Sequence, residues 1–177
     1  MTGPRENFQR YVLDVYAGEG VAPASVLLQD RRGVDVNVLL LAAFVGAAMG
    51  MSFTSREFEA ASARTRQWQD DVVVPLRKVR TRLKDGPPPA PNATTSALRD
   101  RIKAIELDAE MIELDELADF VAHLAAPAAQ GNAEERAASA MQVVIGHGAA
   151  GEPSDDENHA IAVIASAAAR FGVEADR

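Results

Sequence analysis

The stretch Leu28–Leu39 reads LQDRRGVDVNVL, and five of its residues could do chemistry together: Gln29, Asp30, Arg31, Asp35 and Asn37. In a small polar pocket, Asp30 or Asp35 would act as a general base and Arg31 would clamp an anion. The same residue types also build turns. Asp35 can cap a helix, Arg31 can pair with a carboxylate, and Gln29 and Asn37 can satisfy backbone groups around Gly33. Capping preferences favour the structural role, with a cofactor-free enzyme or small-ligand binder as the alternative.

A second candidate is the basic run Arg77, Lys78, Arg80, Arg82 and Lys84, with no acidic residue between Val72 and Lys84. Such a run can bind an acidic partner or phosphates. No aromatic residue interleaves the cations, so there is no strong nucleic-acid signal. The chain also carries its own answer to this charge: seven carboxylates lie between Glu106 and Asp119.

Other chemistry has little support. Asp155 and His159 have the i, i+4 spacing of two metal ligands. They sit, however, in a run of acids suited to a first helical turn, where the helix dipole favours them. No metal or cofactor is expected. Gly46 to Gly50 is not a phosphate loop, because no strand precedes it. No nucleophile–base pair is recognisable, so no catalytic residue is assigned. The absence of cysteine excludes disulfides, thiolate metal sites and a cysteine nucleophile, and fits a reducing, cytoplasmic setting.

The elements that must position these residues are helices. Apolar residues recur with helical spacing and nowhere alternate as a strand. A first helix spans about Pro4 to Ala17, with Phe8, Tyr11, Val12 and Val15 on one face. A second spans about Pro23 to Arg32, with Val26 and Leu27 facing inward. A third, about Val36 to Met51, is apolar on all sides and must be covered all round. Its fourteen-residue apolar core, Val38 to Met51, is shorter than the roughly 20 residues of a membrane span. Ser55 to Lys84 is helical with a kink before Pro75, and its apolar line runs Phe58, Ala61, Thr65, Trp68, then Val72, Leu76, Val79, Leu83. A long helix follows from Thr95 or Ser96 to Leu124, carrying the stripe Leu98, Ile102, Ile105, Ala109 and Ile112. The last two span about Ala133 to Ile145 and Asp155 to Phe171, the latter opened by a Ser154–Glu157 capping box.

The expected fold is therefore all-α, a bundle of six to eight helices around the central apolar helix. Residues 1–86 form one helical region, the proline-rich stretch 87–94 an extended connection, and 95–177 an acidic region packing on the first, as one domain. Charge divides there too, with 12 Lys/Arg against 10 Asp/Glu up to Gly86 and 6 against 16 beyond it.

Two segments carry a resemblance: YAGEGVAPASVLLQDRRGVDVNVLLL, Tyr16 to Leu41, and WQDDVVVPLRKVR, Trp68 to Arg80. With their LQDRxGxDVNxLL and WxxxVVxPLRxVR motifs, they resemble an uncharacterised proteobacterial family, a domain of unknown function. The resemblance implies a helical fold in a bacterial cytoplasm and supplies no activity. The missing catalytic constellation and the charge asymmetry make a non-enzymatic interaction or regulatory protein with a protein partner the leading expectation.

Overall fold

The computed structural model describes residues 4–174. It is 77% helical, with no strand among the described residues, so the protein is an all-α helical bundle. The helices are α1 (Pro4–Tyr16), α2 (Val21–Arg32), α3 (Val36–Ala47), α4 (Ser55–Trp68), α5 (Val74–Asp85), α6 (Ala93–Ala122), α7 (Ala133–Gly146) and α8 (Asp155–Glu174). A π-helical turn, Gln69–Val73, joins α4 to α5. The chain divides into two compact units, one of Met1–Ser62 with Leu117–Arg177, the other of Ala63–Glu116.

In the first unit α3 is the buried centre. Every residue from Val38 to Ala47 is buried, as an all-apolar helix requires. It lies against α7 and α8, and α1 packs on both α3 and α8. The four apolar residues expected to face inward from α1 do so, and Phe8 and Tyr11 set their rings edge-on to Phe44, with centroids 5.3 and 4.9 Å away. The buried Tyr11 hydroxyl donates to the Ala168 carbonyl at 3.0 Å, and burial pushes its pKa well up.

The closest approach explains a glycine. A Cβ on Gly46 would stand 2.5 Å from the Arg136 carbonyl oxygen of α7, which leaves it no room. The same arginine closes the end of α3. Its Nε donates to the Gly46 carbonyl at 2.8 Å, placing a cation on carbonyls that have no partner inside the helix. The helix stops at Ala47, earlier than its apolar run. Gly50 adopts a left-handed φ of 65°, and the Met51 N–H returns to the Val45 carbonyl at 3.0 Å.

Three local expectations change. The second helix begins at Val21, and its inner face is Val21, Ala24, Ser25, Leu28 and Arg32, whereas Val26 is exposed. Inward positions recur every three or four residues, and that line passes through a serine and an arginine, which residue type alone would place outside. The proline run closes a turn within the second unit, with the Ala90 N–H donating to the Pro87 carbonyl at 2.9 Å. Asn92 then caps α6: its Oδ1 accepts from the Thr95 N–H and its own N–H donates to the Thr95 hydroxyl, both at 2.9 Å.

Gly46→Ala should lower the melting temperature through overpacking, which costs about 1–3 kcal/mol. Gly146→Ala, where a Cβ would meet nothing within 4 Å, should cost no stability. Thermal unfolding of the two variants side by side checks both.

Candidate functional site

The nine residues from Gln29 to Asn37 turn the chain from α2 into α3. Gly33 ends α2 at a φ of 68°, and its N–H donates to the Gln29 carbonyl at 2.8 Å. Asp35 caps α3, accepting from the Asn37 N–H at 2.8 Å. Arg31 is exposed and reaches the start of α8, 3.4 Å from the Ser154 hydroxyl and 3.3 Å from Asp156. Asp30 is exposed, and Gln29 is half-buried. The five candidates are thus distributed: Asp35 and Asn37 meet in the cap, Arg31 leaves toward α8, and Gln29 serves α2's end through its backbone.

The residue that organises this turn is their neighbour, Arg32. It is buried, and its Nε and Nη2 grip Glu157 of α8 at 2.6 and 3.0 Å as a two-pronged pair. Nη1 donates to the carbonyls of Ala149 and Gly151 at 2.8 and 2.7 Å, and Nη2 also to that of Glu152 at 2.9 Å. All five guanidinium donors are used. Glu157 closes the expected capping box, accepting from the Ser154 N–H at 2.7 Å. The Arg32 contact, with help from Ser154, holds the Glu157 carboxyl down at about 2. The sequence marks the acidic half as a cap but gives no sign that Arg32 is its partner, since 125 positions separate them.

The second candidate lies in the second unit, where ion pairs join α5 to α6. Arg77 meets Glu106 at 3.0 Å and Glu110 at 2.7 Å, and Arg80 pairs with Glu106. Burial pushes the Glu106 carboxyl up, but the Arg80 and Arg77 guanidiniums outweigh it and hold the group below its ordinary range. Two of the five basic candidates are therefore turned into the hairpin. Lys78, Arg82 and Lys84 are exposed. The Trp68 indole N–H adds a bond to the Ala109 carbonyl at 3.0 Å.

The π turn decides which residues face inward. An unbroken helix would carry the inner line from Trp68 through Val72, Leu76, Val79 and Leu83. At the π turn the Val74 N–H reaches five residues back to the Gln69 carbonyl, which accommodates one extra residue. Pro75 supplies the reason, because it has no N–H to give and its ring crowds the preceding turn. Downstream, Val73 is buried and Arg77 and Arg80 turn to Glu106, while Leu76 and Leu83 stay half-buried. Val79 is consequently 49% exposed. On α6, Leu98, Ile105 and Ile112 are exposed, each seven residues from the next. These three belong to the stripe expected to be buried, of which Ala109 is buried and Ile102 half-buried.

The three histidines, His123, His147 and His159, are exposed and lie apart in the sequence on different segments. Among the described residues no cluster of three or more His, Asp or Glu could hold a metal ion. No helix among them is long and apolar enough to cross a membrane.

Two titrations test these contacts. A carboxylate held low stabilises the fold fully above its free value near 4.5, and that contribution is lost as pH falls toward about 2. Acid unfolding followed between these values should therefore flatten in Glu157→Gln, which should also melt at least about 5 °C lower at neutral pH. In the hairpin, NMR titration should place Glu106 below an ordinary glutamate, and Arg80→Met should move it upward.

Comparison with curated proteins and with solved structures gives no match. A family model described as protein of unknown function (DUF2390) matches residues 7–117. That span runs from α1 through most of α6, and so includes both the α2–α3 turn and the α5–α6 hairpin. The chain belongs to this family.

Proposed function

We propose that this is a cytoplasmic, non-enzymatic interaction or regulatory protein, and that its contact surface is the α5–α6 hairpin. The observation that carries the reading is the apolar stripe left in water there: Leu98, Ile105 and Ile112 are all between 43% and 53% exposed. Grouped exposure of this kind marks binding surfaces, whereas single exposed apolar residues are ordinary. The helix pair is held from inside by Arg77, Arg80 and Glu106, so it does not need its apolar edge to stay closed. Lys78, Arg82 and Lys84 remain on its outside to favour an acidic partner. A composition without cysteine suits the cytoplasm.

The test is a surface change that leaves the fold alone. Ile105→Glu, in a half-exposed position, should leave the melting temperature within about 2 °C, as surface substitutions do. It should abolish whatever stable complex the wild type forms, read by pull-down and by light scattering on a sizing column. A wild-type protein that forms no complex of any kind, or complexes indifferent to this change, would overturn the reading.

A further inference from the structure

The exposed edge of α6 carries a seven-residue repeat. Leu98, Ile105 and Ile112 lie seven residues apart, so on a straight helix they form a stripe that drifts by only about 20° per step. The stripe is about 21 Å long at 1.5 Å per residue, and Ile105 is its midpoint. One exposed charge lies on each side of that midpoint along the same edge. Arg101 comes four residues before it and Asp108 three residues after it, within about 20° of each other around the helix. Neither makes an ion pair among the described residues.

This pattern reads the same against its own reverse. We propose that the edge pairs with a second copy of this chain, α6 against α6, antiparallel, about a two-fold axis at Ile105. The inference rests on the hairpin being the contact surface and adds what it contacts. Under that axis Ile105 meets Ile105 of the second copy, and Leu98 meets Ile112 in both directions. Residue 101 of one copy stands level with residue 109 of the other, one residue's rise from Asp108. Each interface therefore contains two Arg101–Asp108 pairs related by symmetry, as a self-complementary contact requires. Asp115 and Glu116, the next charges outward, stand level with the uncharged Thr95 and Thr94. Parallel, in-register pairing would instead oppose Arg101 with Arg101 and Asp108 with Asp108, and like charges set against each other are unfavourable. The area is small, which places the dissociation constant in the micromolar range, on the order of 10 µM.

The chain has no cysteine, so a single introduced thiol reports on its own position. Ile105→Cys should form a disulfide-linked dimer under mild oxidation at least ~10-fold faster than Leu107→Cys, which is equally exposed on the opposite side of α6. An equimolar mixture of Leu98→Cys and Ile112→Cys should give the mixed dimer in preference to either homodimer. Sedimentation at about 100 µM should show dimer, weakened by Arg101→Asp and restored when Asp108→Arg is added. Equal cross-linking at positions 105 and 107, or homodimers of Leu98→Cys in preference to mixed ones, would overturn the antiparallel pairing. If the thiol test fails while Ile105→Glu still abolishes capture of another protein, self-pairing is wrong and the contact surface stands. If both fail, the hairpin is not a contact surface.

Discussion

The first unit depends on a charge that has been taken out of water and completely re-solvated by the chain. Arg32 ends one helix, and its partners come from the first turn of α8 and from the loop before it. An arginine in such a place would be costly if any of its donors were idle, because a buried polar group without a partner bears its full desolvation cost. Here none is idle, and the Arg32 carbonyl also accepts from the Ala149 N–H at 2.9 Å. Backbone and side chain of one residue therefore fix where the loop after α7 must run. Gly148 takes its identity from that closeness, since a Cβ there would stand 2.5 Å from the same carbonyl.

Much of this architecture could be read from the sequence, and the reason is local. Phe8, Tyr11, Val12 and Val15 declare a face by spacing alone. Asp35 declares a helix start, and Ser154 with Glu157 declares another. Each signal is complete within eight residues. What could not be read is what depends on distant partners. Arg32 looks like its neighbour Arg31 until a carboxylate 125 residues away distinguishes them. Gly46 looks like any small residue in an apolar helix until α7 presses a carbonyl against it. Of the two candidate sites, the polar turn was found for its residue types, yet those types are spent mainly on caps. The basic run was found for its charge, and two of its members turned out to face carboxylates in the same unit.

The hairpin inverts the usual assignment of residues. On α5 Arg77 and Arg80 turn to Glu106 and Glu110, while Val79 is left exposed. Ion pairs of this kind define a geometry more than they add stability. Helices held by them can present an apolar strip without collapsing onto it. That separates what holds the two helices together from what they offer to a partner.

The π turn at Gln69–Val73 gives this arrangement an arithmetic. The helical phase of everything beyond it is set by one residue's worth of chain. Removing a single residue from that turn would return the segment to plain α-helical register, carry Leu76 and Val79 onto the inner line, and swing Arg77 and Arg80 outward. Two different faces of α5 are thus neighbours in length, one residue apart, with nearly the same composition. Insertions and deletions in this turn are therefore the changes that would rotate Arg77, Val79 and Arg80 about the axis of α5.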